Sequence, residues 1–371
     1  MTVGGAMSTI YDVARSAGVS AKTVSRVLNG DAPVGKETRI AVEKAMGQLG
    51  YVPSNAARMM RSNKSGLVGL ITGAISMSPE PMQPAGLPEL FIVQGIQKAL
   101  AGSGMTLMIA DTGGVMEKAA PLIDTFLRHR VEGLIYVAEF HQKVTLPRVP
   151  DDVALVLANC YDDHGTTAIL PDDRLGQFDL VTQIIAAGHR RIAYLTLRPD
   201  VEAGHLRALG YRDALTTAGI AFDPAIVAAC DLPDRAAESR LLMETIDRMM
   251  RLPDPPTILC CGTDKMALEV YGILRTLGLR LPEEISVAGY DNYRVIAEQL
   301  YPPLTTVTLP YPAMGELAAH RLLSLIAGNP RNDPAVERVA GPVCWRASVK
   351  DLSCSKPDQT EPKWRTLYET V

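Results

Sequence analysis

Between Ile10 and Leu28 the apolar residues recur at helical spacing, stop at Gly18, and start again, a pattern that fits a tight hairpin of two short helices. Ile10, Val13, Ala14 and Ala17 form the first stripe; Val24, Val27 and Leu28 form the second. Gly18 permits the sharp turn between them because it lacks a Cβ. Thr9 is placed to N-cap the first helix with Asp12 near its third position, and Ser20 to N-cap the second. A third stripe runs from Glu37 to Leu49, with Ile40, Val42, Ala45, Met46 and Leu49 expected inward and Gly50 closing the helix. Three short helices around one small apolar centre describe a helix-turn-helix domain.

With its apolar residues inward, the second helix turns Ala21, Lys22, Ser25, Arg26 and Asn29 outward. That set matches the chemistry of a major groove. Lys22 and Arg26 can reach guanine edges or phosphate, Thr23 and Ser25 can donate to phosphate oxygens, and Ala21 can meet a thymine methyl. An ordinary hairpin with a solvated face would show the same spacing. The charge is distributed as a DNA-binding head on a larger body would have it, although a charge run alone is usually a solvated face: through Gly66 there are nine Lys and Arg against four acids, a local charge of +5, whereas the whole chain carries −4. After Pro53, the stretch from Ser54 to Arg61 gives a helix of about two turns, too short to hold alone in water.

The remaining sequence alternates short apolar runs with amphipathic stretches. Runs at Leu67 to Ile71, Met105 to Ala110, Gly133 to Val137, Ala154 to Ala158, Ile192 to Leu197, Thr257 to Cys261 and Ile285 to Ala288 read as strands; Leu90 to Ala101 and Asp179 to Ala187 read as helices. Such alternation implies doubly wound parallel sheets, and their number suits two lobes. The six cysteines are scattered, with no ligand spacing, and read as core thiols of a reducing compartment. No stretch is long and apolar enough to span a membrane, and the N-terminal M-T-V-G-G-A-M lacks the features of a signal peptide, so a cytoplasmic protein is expected, with Met7 an alternative start. No G-x-S-x-G, H-E-x-x-H, P-loop or G-x-G-x-x-G after the first strand is present, so neither an enzyme nor a cofactor nor a metal site is expected.

The motifs Y-D-V-A (Tyr11 to Ala14), A-G-V-S (Ala17 to Ser20), T-V-S-R-V-L-N (Thr23 to Asn29), L-G-Y-V-P (Leu49 to Pro53) and A-A-R (Ala56 to Arg58) together resemble the headpiece and hinge of the LacI/GalR family of bacterial transcription regulators. The likeness continues through D-D-R-L-G (Asp172 to Gly176), A-G-H-R-R-I-A-Y-L (Ala187 to Leu195), L-R-A-L-G-Y-R-D-A-L (Leu206 to Leu215), G-T-D-K-M-A-L (Gly262 to Leu268), L-G-L-R-L-P-E-E-I-S-V-A-G-Y-D-N (Leu277 to Asn292) and P-P-L-T-T-V (Pro302 to Val307). The resemblance implies an all-α helix-turn-helix headpiece over 8–52 and a hinge over 53–65. It also implies an α/β body over 66–350, made of two parallel-sheet lobes akin to periplasmic sugar-binding proteins. Residues 351–371 are expected to form a disordered tail. The partners implied are pseudo-palindromic operator DNA, bound by a homodimer, and a small-molecule effector, a sugar or sugar derivative; no membrane partner is implied. Because no heptad run appears near the C-terminus, a dimer built from the body's lobes is expected, with no coiled-coil tetramer.

DNA contacts are then expected from Ala21, Lys22, Thr23, Ser25, Arg26 and Asn29, and from Asn55, Ala57 and Met60 in the hinge. Gly35 stands where the family usually caps the third helix with Ser, and Met60 where the hinge usually wedges Leu into the minor groove. In open α/β sheets ligands lie beyond the carboxyl ends of strands, where Asn159, Thr263, Asp264 and Asp291 fall. The resemblance assigns effector contact to Asn159, Arg207, Thr263 and Asp291, with Tyr311 near a ring that stacks on a sugar. Plainer roles compete: Asp291 can cap a turn, Arg207 can pair with an acid, and Asp264 is expected to N-cap its helix. His189 reads as structural. The crossovers between lobes are expected near His164 to Thr167, Tyr290 to Tyr293 and Val307 to Pro310. The sequence departs from the family at Leu232, where an aromatic is frequent, and in the Pro-rich loop of residues 76–89, so no particular sugar is implied.

Overall fold

The computed structural model describes residues 8–29, 34–52, 64–73, 88–232, 234–329 and 334–353. The chain divides into two compact units, Met1–Gly66 and Leu67–Val371. In the first unit, α1 (Ile10–Ala17), α2 (Ala21–Asn29) and α3 (Lys36–Leu49) bury Val13, Ala14, Val24, Val27, Val42 and Ala45. Thr9 and Asp12 form a reciprocal cap: the Thr9 hydroxyl accepts from the Asp12 N–H, and the Asp12 carboxylate accepts from the Thr9 N–H at 2.9 Å. Ser20 Oγ accepts from the Thr23 N–H at 3.1 Å. Gly18 and Gly50 adopt φ of 66° and 58°, the left-handed conformation these two turns require. Gly35 begins α3 without a side-chain cap. Ile40 is an exception to the expected stripe: it is 55% exposed, because two residues before Val42 is the opposite side of a helix.

The second unit runs β1 (Leu67–Thr72), α4 (Pro88–Leu100), β2 (Thr106–Asp111), α5 (Ala119–Arg128), β3 (Gly133–Lys143), β4 (Ala154–Tyr161), β5 (Thr167–Pro171), α6 (Asp173–Ala186), β6 (Ile192–Thr196) and α7 (Glu202–Thr217). It continues through β7 (Val227–Ala229), α8 (Arg235–Met250), β8 (Ile258–Cys261), α9 (Asp264–Thr276), β9 (Ser286–Ala288), α10 (Arg294–Ala297), β10 (Thr306–Val307), α11 (Tyr311–Ile326), β11 (Val336–Val339) and β12 (Val343–Cys344). One lobe holds a parallel sheet in the order β11-β5-β4-β3-β1-β2, and the other a parallel sheet in the order β7-β6-β8-β9. Each sheet is covered on both faces. In the first lobe, Val68, Leu70 and Val137 face α4 and α11, whereas Ile71, Leu134 and Tyr136 face α5. In the second, Tyr194 and Ile258 pack with α6 and α7, and Leu195 and Leu259 with α8 and α9. The period-two alternation of the strands makes this division. Cys160, Cys230, Cys260 and Cys261 are buried core thiols, and burial pushes Cys260 up to about 12; Cys354 and most of the expected tail lie outside the described residues.

Helices α4 and α11 cross so closely that a Cβ on Gly95 would land on the Pro312 carbonyl, and one on Gly315 on the Ile92 carbonyl. Two glycines, one on each helix, let the backbones meet.

The crossovers differ from expectation at two places. His164 to Thr167 is only the turn from β4 to β5, closed by the Asp162 carboxylate, which accepts from the His164 and Thr166 N–H groups. The chain leaves the first lobe after β5, because α6 delivers Leu180, Val181 and Ile184 to the second lobe's core. Tyr290 to Tyr293 likewise stays in the second lobe: Tyr290 packs in one of its cores and Ala297 in the other. The passage at Val307 to Pro310 is found, leading into α11, whose Met314, Ala318 and Leu322 belong to the first lobe. A third passage, from β11 to the short β12, was not expected; β12 pairs antiparallel with β10.

Candidate functional site

On α2, Lys22 and Arg26 are exposed, as the stripe requires. Thr23 and Ser25 are half-buried, and the Thr23 hydroxyl lies 2.9 Å from Ser20 Oγ at the cap. Ala21 also leans on the head's own core, so part of its methyl surface is already covered. Asn29 ends the helix. Asn55, Ala57 and Met60, together with the Pro-rich loop through residue 87, lie outside the described residues.

In the body, a line of buried polar groups joins the two lobes. His141 on β3 places Nδ1 2.9 Å from Asp173 Oδ2, and Arg207 Nε donates to Asp173 Oδ1 at 2.7 Å. Asp173 is fully buried at the first position of α6, where the helix dipole favours a negative charge. An ionised carboxylate only accepts, so His141 Nδ1 carries the proton. Burial opposes the charge on Asp173, but Arg207 and the His141 hydrogen bond outweigh it and hold the carboxyl below its ordinary range. Arg207 also donates from Nη1 to the Gly262 carbonyl at 2.6 Å and lies 3.7 Å above the ring of Tyr290, while the Tyr290 hydroxyl donates to the Asp173 carbonyl at 3.3 Å. The guanidinium is thus gripped by a carboxylate, a carbonyl and an aromatic face.

Asp291 comes to the same place, its Oδ1 3.7 Å from Arg207 Nη1. Its backbone is bound on both sides, donating to Val307 and accepting from Leu309, and adopts φ of 124°, which is strained for a residue with a Cβ. Burial, reinforced by the neighbouring charge of Asp264, pushes its carboxyl above the ordinary range against the pull of Arg207. Asn159 lies at the end of β4, 1% exposed and at φ of 61°; its amide donates to the Ala138 carbonyl, and its Oδ1 has no hydrogen-bond partner.

One expectation changes, the N-cap of α9, and Thr263 and Tyr311 are both found in structural contacts. Thr263 is the N-cap of α9, its hydroxyl accepting from the Met266 N–H at 3.1 Å, so the role expected of Asp264 belongs to Thr263. Asp264 instead points inward, fully buried, accepting from Thr306 Oγ1 at 2.6 Å and the Tyr293 N–H at 2.7 Å, and burial pushes its carboxyl up to about 7. Tyr311 begins α11 and packs with the cores of both lobes, so much of its ring is engaged inside the protein. His189 bridges Thr257 Oγ1 and the Lys350 carbonyl, a structural role as expected. Sequence reading missed His141 and Asp173, whose partnership spans different elements; the acid beside Asp172 in D-D-R-L-G was its one local sign.

The family described as "Bacterial regulatory proteins, lacI family" matches residues 9–54, and "Periplasmic binding protein-like domain" matches residues 181–349. The HTH-type transcriptional repressor PurR of Vibrio atlanticus (strain LGP32) is 31% identical over 354 residues, covering 94% of this chain and all of that protein. The ribose operon repressor of Escherichia coli (strain K12) is 32% identical over 324 residues, covering 86% of this chain and 93% of that one. The solved lac repressor dimer bound to operator and the anti-inducer ONPF aligns with a TM-score of 0.74 at 25% identity, over 93% of this chain and all of that one. Identity above 30% along nearly whole relatives, in a chain whose head and paired lobes have the matching fold, means that this protein belongs to the lacI family of bacterial regulatory proteins.

Proposed function

We propose that the protein is a cytoplasmic, homodimeric repressor of carbohydrate-related genes, and not an enzyme. Its headpiece (8–52) reads operator DNA through α2, with a hinge (53–65) between it and an effector-responsive body (66–350). The observation that carries the DNA-reading role is the outer face of α2, where Lys22 and Arg26 stand exposed on a capped helix. Phosphate contacts would anchor the head while Lys22 and Ala21 discriminate bases and Ser25 and Arg26 mainly anchor. Effector contact is assigned to Arg207, Asp291 and Asn159, with Thr263 and Tyr311 lending mainly structural support. A small molecule held there would act on DNA by favouring one arrangement of the lobes, since equal affinity for both would shift nothing.

Selection of bound DNA from a random pool should return a pseudo-palindrome, and Lys22→Ala should change the preferred half-site by about 1 to 3 kcal/mol at the contacted base. Recovery of DNA without a common sequence would overturn the reading; an unchanged consensus for Lys22→Ala would overturn the role given to Lys22.

A further inference from the structure

Thr72 at the end of β1, Val137 in β3 and Ala158 in β4 lie side by side in the first lobe, and Gly73, Glu139 and Asn159 follow just beyond that row. Thr72, the last residue of β1, is fully buried with no partner for its hydroxyl. Asn159 on β4 is 1% exposed with no partner for Oδ1. Between them, Glu139 on β3 lies against Gly73, where a Cβ would meet its carboxylate at 2.6 Å, and no hydrogen bond or ion pair holds that carboxylate among the described residues. Burial, and then the neighbouring Asp111, push the Glu139 carboxyl above its ordinary range. A buried hydroxyl, which can donate or accept, and a buried amide oxygen, which only accepts, are costly to leave unmet, and beside the Glu139 carboxylate they suit a partner that donates hydrogen bonds.

Among the described residues, the guanidinium groups of Arg207 and Arg198 on the opposite wall each already stand beside two acids, although the Arg198 Nε has no hydrogen-bond partner. His141, two residues beyond Glu139, leads through Asp173 to Arg207, whose Nε is held by that carboxylate at 2.7 Å and whose Nη1 lies 3.7 Å from Asp291. Arg198, just past β6, lies 3.7 Å from Asp200 and 3.8 Å from Asp231. The Arg207 guanidinium therefore stands beside two carboxyls, Asp173 and Asp291, while Glu139 and Asp111 neighbour each other in the first lobe. An incoming anion would meet net negative charge in a partly dry site.

We infer that the cleft admits effectors that donate hydrogen bonds and carry no negative charge, a neutral or amine-bearing polyol, and turns away sugar phosphates and sugar acids, with Glu139 setting that rule. This rests on the effector role proposed above for the cleft.

The full-length protein is titrated calorimetrically with matched sets: ribose, glucose, galactose and cellobiose, each beside its amino, acid and phosphate derivatives. Binding is expected among the neutral and amino members, with the matched acid and phosphate weaker by about 100-fold. Glu139→Gln, which keeps the side chain's shape, should narrow that gap about 10-fold by favouring the anions. An acid or phosphate that binds wild type as tightly as its neutral parent would overturn the charge rule and leave the effector reading standing. Heat from no member of any set would overturn the effector reading itself, and this inference with it. Unchanged selectivity in folded Glu139→Gln would remove Glu139 from its role.

Discussion

Arg207 has two employments, and they bear on how any substitution there is read. It neutralises Asp173, which has no exposure, and it is one of the residues proposed above to contact the effector. Arg207→Ala should therefore leave a buried carboxylate facing only His141 and lower the stability of the body by about 3 to 5 kcal/mol, measured by urea unfolding. A variant as stable as wild type would show that Asp173 does not depend on it. Asp264 makes the opposite case. Its folded value near 7 exceeds its unfolded value of 3.8, so it binds its proton more tightly when folded. That contribution is complete below the unfolded value and is lost as the pH rises through the folded one. Compared with Asp264→Asn, the wild-type Tm should fall between about pH 4 and pH 7 and run parallel above it. Parallel curves throughout would mean that Asp264 is ionised in the folded protein across that range.

The apolar stripes of α1 and α2 were legible because each helix packs one narrow face in a small head, and their caps need only residues three apart. Strands β1, β2, β3, β4, β6, β8 and β9 were legible as short, mostly apolar runs, again a local pattern. β5, β7, β10, β11 and β12 were not: they are two to five residues long, and pairing with neighbours distant in sequence makes them strands. The crossing of α4 and α11 also depends on distant partners. Gly315→Ala would place a methyl on the Ile92 carbonyl, with backbone on both sides unable to yield. A loss of at least about 2 kcal/mol is expected in thermal unfolding. A Tm within a degree of wild type would show that the helices separate freely.

Assembly belongs to the whole chain. The function proposed above needs two heads on one pseudo-palindrome, so it implies a dimer. Sedimentation at micromolar concentration without DNA should give a mass near twice the 40.0 kDa of one chain. A monomer under those conditions would count against two heads reading a pseudo-palindrome; a tetramer would point to an assembly surface beyond one two-fold interface.

By itself the sequence determined the head, its turn glycines and caps, and the alternation that makes two parallel-sheet lobes. All of these depend on periodicity or on motifs contiguous in the chain, whereas the expectation that Arg207 and Asp291 share a site came from the family resemblance those motifs carry. Only the tertiary structure decided that His141 meets Asp173 across 32 residues, that Arg207 is already neutralised, that Thr263 rather than Asp264 caps α9, and where the chain changes lobes. The reason is physical: the charge state of a buried group depends on partners brought from other elements and on the water they exclude, and neither is written in local spacing.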